Sequence, residues 1–468
     1  MNSYREQKYL SAFCNDFLSA APGYLLACSS WSRMVLQEAL NEVSLRQAVT
    51  ALSALILANE NDAGRRSTSP SCSTTSAVDV QNHRDSAVVL HHKALGGMHK
   101  IQSPRAALLA HLAMFTYEKL NGRSDLAVTY IQRGLKLLRE LSTSNLQTGS
   151  WGKRASDLTS PVLYIEDDIA RVFVGLEIQL IPFGRSQPLP CQKEFYQNIS
   201  PMREGIPSDG FTSLRAARES LERIMARGID GQSFGYPRRR MSSNPLFEGR
   251  GPGPDLQPFV SSDFSSIASI EQCYTEIDAW LAAFVPLFVA SESKKEGDDY
   301  INAICLEIQA KTTKILLART LFSTETQFDS LLAYFRRIID LCEIHISHPY
   351  TERPSARSIM SISGIILPLL LTAVRCRDSN VRHRAVKLLQ GLNRMEGVLS
   401  SDAFAQIAAW VVNLEEENGV HPGIRIPEEQ RVRMSKVKIN FPAKAVEATC
   451  EKASGEDGHT EMSILVRW

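Results

Sequence analysis

The sequence has no CxxC, no CxC and no two cysteines closer than 14 positions. Its nine thiols, at positions 14, 28, 72, 191, 273, 305, 342, 376 and 450, therefore offer no ligand spacing for a structural zinc site. Their odd count, with no apolar leader in MNSYREQKYLSAFCNDF, points to free thiols in a reducing compartment. A dominant charge is lacking too. The 52 Lys and Arg against 51 Asp and Glu leave +1, without the basic excess of a dedicated nucleic-acid binder. The longest apolar run, GIILPLLLTAV (Gly364–Val374), is too short to span a bilayer and is broken by Pro368. It reads as a buried core helix, and no membrane association is expected. P-loop and dinucleotide glycine patterns are absent, as is HExxH. Strands do not alternate with helices, which argues against a doubly wound sheet.

What is there is helical periodicity in a chain of 468 residues, enough for a large core or up to about three domains. Ser44–Glu60 carries an apolar stripe of Ala48, Leu52, Leu55 and Ile56, with Ser44 and Gln47 placed as a capping box. A polar stretch over 61–83 reads as a flexible loop. Three helices follow between Ser86 and Leu141, with Pro104 suited to a first turn and Asn121-Gly122 to a helix end. HKAL at 92–95 and QRGL at 132–135 lie 40 residues apart in similar settings, the trace of stacked helix pairs. Further helices are expected over Tyr164–Gly184, Phe211–Gly228, Ile267–Phe288, Tyr300–Leu321, Phe328–His345 and Ser361–Arg375. The stretch 228–266, rich in Gly, Pro, Ser and Arg, reads as a disordered insertion or long excursion.

In Arg377–Gly419, Val381, Ala385, Leu388, Leu389 and Leu392 make one stripe, and Phe404, Ile407, Ala408, Val411 and Leu414 another. Asp378 can cap the first helix, and Ser400, Ser401 or Asp402 the second. Gly391 and Gly397 loosen the connection between them. The spacing predicts an antiparallel pair packed on a core. Arg382, Arg384 and Lys387 beside the first stripe form a basic flank: solvated charge on an amphipathic helix, or a nucleic-acid contact. No aromatic residues interleave with them. After Pro427, RVRMSKVKINF and EMSILVRW alternate and predict a small C-terminal β-hairpin. The fold class expected is all-α: a large multi-helix body of stacked helix pairs with long loops and that hairpin.

Chemistry is sparse. GQSFG (Gly231–Gly235) matches G-x-S-x-G, but Ser233 has no preceding strand to hold a strained nucleophile turn. His345 with His348, and His91 with His92, assemble no complete ligand set. Glu166, Asp167 and Asp168 suit the start of a helix dipole. No catalytic residue, metal site or cofactor is expected. Arg238, Arg239 and Arg240 could serve as a nuclear-import signal or a phosphate-contacting patch; the alternative is a solvated loop cluster.

Several segments together resemble the regulatory region of fungal zinc-cluster transcription factors, those with two zincs and six cysteines. They are LLACSSWSRMVLQEALNEVSLRQAVTALSAL (Leu25–Leu55), HHKAL with the helices that follow it, FVGLEIQLIPFG (Phe173–Gly184), FTSLRAARESLERIM, GIILPLLLTAVRCRDSNVRHRAVKLL, AFAQIAAWVVNLEEE and IPEEQRVRMSKVKINF. The resemblance runs from about Leu25 to Phe441. One departure is Gly175-Leu176-Glu177, where that region usually carries an arginine. The other is the six-cysteine segment and its basic linker, which have no counterpart among these residues.

The resemblance implies a lead-in over 1–24, a helical regulatory domain in two parts (25–227 and 267–427) around the 228–266 insertion, and a tail over 428–468. It implies a nuclear transcription regulator acting through other transcription factors or coregulators, as a homo- or heterodimer. The resemblance also implies service to a metabolic or secondary-metabolite gene cluster. No sequence-specific DNA binding of its own is expected, and a small-molecule effector, of unknown identity, could sit between helices. The alternatives are an N-terminally truncated DNA-binding factor and a helical-repeat adaptor without a DNA role. An enzyme on a helical scaffold would need a convergent set of ionisable residues that the sequence does not offer.

Overall fold

The computed structural model describes residues 3–13, 29–67, 77–147, 205–230, 263–293, 297–348, 364–396, 399–417, 426–440, 443–454 and 458–467, with 169, 172, 173, 176 and 295. Helices make up most of it. The first group is α1 (Ser3–Ala12), α2 (Ser29–Asn41), α3 (Val43–Ser67), α4 (Ala77–Gly97), α5 (Pro104–Leu120) and α6 (Ser124–Gln147). Here α3 packs on α4 and α5 on α6, with α3 against α5, so two helix pairs stack side by side. Ser103 caps α5 by accepting from Ala106 N at 3.2 Å, with Pro104 in the first turn. Gly122 turns the chain at φ 72°. Ile169, Val172, Phe173 and Leu176 are helical and buried in the same core. Gly134 passes so close to the Phe173 ring that a Cβ there would overlap it.

Two expectations for this half are corrected. The 61–83 stretch is helical wherever it is described, as α3 runs on to Ser67 and α4 begins at Ala77. Its polar residues hold the helices together: Arg84 pairs with Asp62 at 3.2 Å, and Tyr9 Oη bonds His83 Nδ1 at 2.8 Å. Ser44 is not a cap but lies inside α3, its hydroxyl facing Gly97. The break before α3 is the single residue Glu42, whose carboxylate accepts from Gln102 N at 3.1 Å.

The second group comprises α7 (Leu214–Asp230), α8 (Asp263–Glu292), α9 (Asp298–Leu321), α10 (Leu332–Ser347), α11 (Ile366–Arg375), α12 (Ser379–Leu392) and α13 (Ser401–Glu416), with a 3-10 turn over Glu325–Leu331. Trp280 anchors its core, stacked on Phe284 at 4.6 Å and donating to Ala217 O at 2.9 Å. By length and composition α8 could cross a membrane, but Ile277, Trp280 and Phe284 are buried in the protein core. Asp378 caps α12 through Val381 N at 3.1 Å, and Ser400 caps α13 through Ala403 N at 3.4 Å. Gly391 lies within α12. The helix ends instead at Asn393, in the left-handed region at φ 42°. A two-residue ladder, β1 (Met395–Glu396) with β2 (Leu399–Ser400), closes the connection.

The C-terminal hairpin is in fact a three-stranded antiparallel sheet in the order β3 (Val432–Asn440), β4 (Ala445–Ser454), β5 (Gly458–Arg467). The two alternating segments do not pair with each other, because β4 lies between them. Its sequence, AVEATCEKAS, is poor in β-branched and aromatic residues, so it carries little strand signal. As the central strand it is held on both sides, and beside the buried Val446 its inward residues are the small Ala448 and Cys450. α13 packs beneath the sheet.

Candidate functional site

Arg238, Arg239, Arg240 and Ser233 lie outside the described residues, as do Glu166, Asp167 and Asp168. The basic flank on α12 is solvated at Lys387 and in part at Arg384, but not at Arg382. Arg382 is fully buried, Arg384 is held by Glu343 at 2.7 Å and Asp340 at 3.0 Å, and Lys387 is exposed. The solvated reading therefore fails at Arg382, which has no surface to offer a nucleic acid either. Its apolar neighbours on the helix concealed a polar partner elsewhere in the chain, Glu415. His91 meets Glu118 at 2.9 Å and stacks on Tyr117, while His92 Nδ1 bonds Val88 O at 2.9 Å. His348 Nε2 bonds Lys295 O at 2.9 Å. Among the described residues no three His, Cys, Asp or Glu side chains form a cluster that could hold a metal ion.

A buried ionic junction joins the helical body to the sheet. Glu325, at the start of the 3-10 turn, receives Arg375 on one oxygen and Arg377 Nη1 on the other at 3.2 Å. Arg377 Nη2 donates to Glu415 Oε1 at 2.7 Å and to Val432 O at 3.2 Å. Arg382 Nη2 lies 2.9 Å from Glu415 Oε2, and its guanidinium also donates to Ala373 O. Val432 N donates to Glu415 at 2.8 Å, fixing the first residue of β3. Beside it Arg431 grips Asp329 with two bonds, 2.9 and 2.8 Å, and donates to Glu325 O. Burial pushes the Glu325 carboxyl up, but Arg375 and Arg377 outweigh it and hold the group below its ordinary value. Burial lowers Arg382. Charges held this way are matched to one another, which makes the junction a clamp and leaves no group poised for proton transfer.

A groove of about 270 Å³ lies between α8, α9 and α10. Its apolar wall is Leu281, Phe284, Val285, Phe288 and Val289, all from α8. At its polar rim Arg337 bonds Glu307 twice at 2.9 Å and lies over the Phe288 ring at 5.2 Å. Lys311 approaches Glu307 at 3.5 Å, and Glu292 completes the rim. The Glu307 partnership raises Arg337, while burial lowers Lys311. Pro286 shapes α8 here. It has no N–H to give the Ala282 carbonyl, and the adjacent Ala283 carbonyl accepts from Phe211 N at 3.2 Å. Gly210, at φ 89°, permits that approach. The groove has no nucleophile beside a base. It can hold a small, mostly apolar molecule with one polar group at the Glu307–Arg337 rim.

No family model and no solved structure matches the chain. Among characterised proteins it is similar to the Aspercryptin biosynthesis cluster-specific transcription regulator atnN of Emericella nidulans. The two are 38% identical over 109 residues, covering 20% of this chain and 18% of that protein. The match thus spans less than a fifth of the relative's length, and over that stretch the chain is similar to a fungal regulator of transcription.

Proposed function

We propose that the chain is a nuclear regulator of transcription for a fungal secondary-metabolite gene cluster. It works by contacting other transcription factors or coregulators, not by reading DNA through a zinc cluster of its own. The observation that carries this reading is the 109-residue similarity to a cluster-specific transcription regulator. One feature supports the partner-dependent form: an α12 whose central arginine is committed to Glu415. In this reading the α8 groove receives the effector, a small apolar molecule, and no catalysis occurs there.

The test is deletion of the coding sequence in its host, followed by measurement of all transcripts. Coordinated loss or gain across one contiguous set of biosynthetic genes is expected; unchanged levels in every such set overturn the proposal. Purified chain, assayed on a DNA panel with zinc measured on the same sample, should bind no zinc and retain no sequence specifically. Any residual binding should fade as salt rises.

A further inference from the structure

The two edges of the C-terminal sheet are built differently. β3 is protected: a bulge interrupts its register between Met434 and Lys436, and Arg433, Lys436 and Lys438 line it. Such bulges and charges discourage further pairing. β5 has no bulge and only two full charges, Glu461 and Arg467. Its ten pairs with β4 run without a register shift, it contains no lysine or proline, and Leu465 is 59% exposed. Among the described residues β5 pairs only with β4, and none of them pairs along its other side.

We infer that this edge pairs with the same edge of a second copy, β5 against β5 in antiparallel, making one six-stranded sheet. The charges select both the occupant and the register. Centred on Ile464, the pairing sets Glu461 opposite Arg467 and, by symmetry, Arg467 opposite Glu461. It also sets Met462 opposite Val466 and Ser463 opposite Leu465. Opposite residues then share a face: Met462, Ile464 and Val466 stay on the side packed against the core, and the charged pairs fall on the other. Centring on Ser463 instead sets Glu461 opposite Leu465 and Arg467 opposite His459, and centring on Leu465 sets Arg467 opposite Ser463 and leaves Glu461 outside the paired stretch. Within one chain Glu461 faces Glu451, whose own cation, Arg433, lies opposite it on β3, on the side away from Glu461. The second copy sets a cation directly opposite Glu461. A two-fold axis makes every contact occur twice, as an isologous interface requires. Seven facing residues per strand fall short of a standard interface of about 800 Å² per partner, so the association is a concentration-dependent equilibrium.

The experiment is sedimentation of the full chain over a range of concentrations, for wild type, E461R, R467E and the double swap. Wild type should pass from monomer to dimer as concentration rises. Each single swap sets like charges opposite at two places, and should weaken dimerisation at least about fivefold. E461R/R467E should restore it to within about twofold of wild type. E461R should not lower the melting temperature of the monomer, because it relieves the Glu451–Glu461 opposition; a purely structural role for Glu461 predicts the reverse. A wild type that stays monomeric overturns the inference. So does a dimer indifferent to the single swaps, which would use another surface. A double swap that fails to recover overturns the register. None of these outcomes bears on transcriptional activity, which the deletion experiment tests separately.

Discussion

Arg382 sits beside an apolar stripe on α12 yet has no exposed surface, because Glu415 on α13 reaches it across the pair. Removing the cation leaves a buried carboxylate partly compensated by Arg377 alone. Arg382→Ala should therefore cost ~3 kcal/mol in urea unfolding. Lys387→Ala, one turn further along and exposed, should stay within ~0.5 kcal/mol. Equal effects would return Arg382 to the surface. Acid should act through other single groups. Burial, helped by Arg133, lowers His111 to about 4, and burial, helped by Arg394 and His348, lowers His345 to about 3. Both rings have folded values below the unfolded one, so the unfolded chain binds more protons below about pH 6.5. Their stabilising contribution is complete above that pH and is lost as pH falls. The loss is up to ~1.4 kcal/mol per pH unit for each ring until its folded value is reached. Glu325, also depressed, adds its own loss below the ordinary carboxylate range. Stability should thus decline from pH 6.5 toward 4, and His111→Gln should make that decline shallower in denaturant titrations at stepped pH.

At the scale of elements, local signals were legible and distant ones were not. Asp378, and Ser400 out of the three candidates Ser400, Ser401 and Asp402, cap the helices that their short polar side chains mark in the sequence, since a cap bonds within three residues of itself. The helical continuation to Ser67 and from Ala77 was hidden. There polar residues are held by Asp62–Arg84 and by buried Val80, contacts that composition does not reveal. β4 was hidden because its strand character comes from two flanking neighbours. The groove was hidden most fully: its wall is one helix, but its rim needs Glu307 and Lys311 from α9 and Arg337 from α10. Val285 and Val289 on that wall are 56% and 57% exposed, so V285E/V289E should leave the melting temperature within a degree or two while abolishing uptake of an apolar fluorescent dye. Dye binding that survives the double change would place the ligand elsewhere. Gly210→Ala tests the support of the same helix. At φ 89°, against the Ala283 carbonyl, it should cost ~1 kcal/mol or more by thermal melting.

At the scale of the whole molecule, buried apolar side chains fall into two clusters. One is built from residues between Tyr9 and Leu176; the other runs from Phe211 to Val466 and takes Val128 from α6. The ionic junction, the groove and the open β5 edge all belong to the second. Two cores of this size need not melt together, because cooperativity spreads through shared packing and, among the described residues, these share little beyond Val128. Calorimetry should then show two transitions. Phe115 is buried in the first cluster and Phe404 in the second. Phe115→Ala should lower one transition, and Phe404→Ala the other, each by ~3–5 kcal/mol. If either change moves both transitions equally, the clusters fold as one unit. Any effector bound in the α8 groove would then stabilise the whole chain. If they move separately, effector binding should raise only the transition that Phe404→Ala lowers.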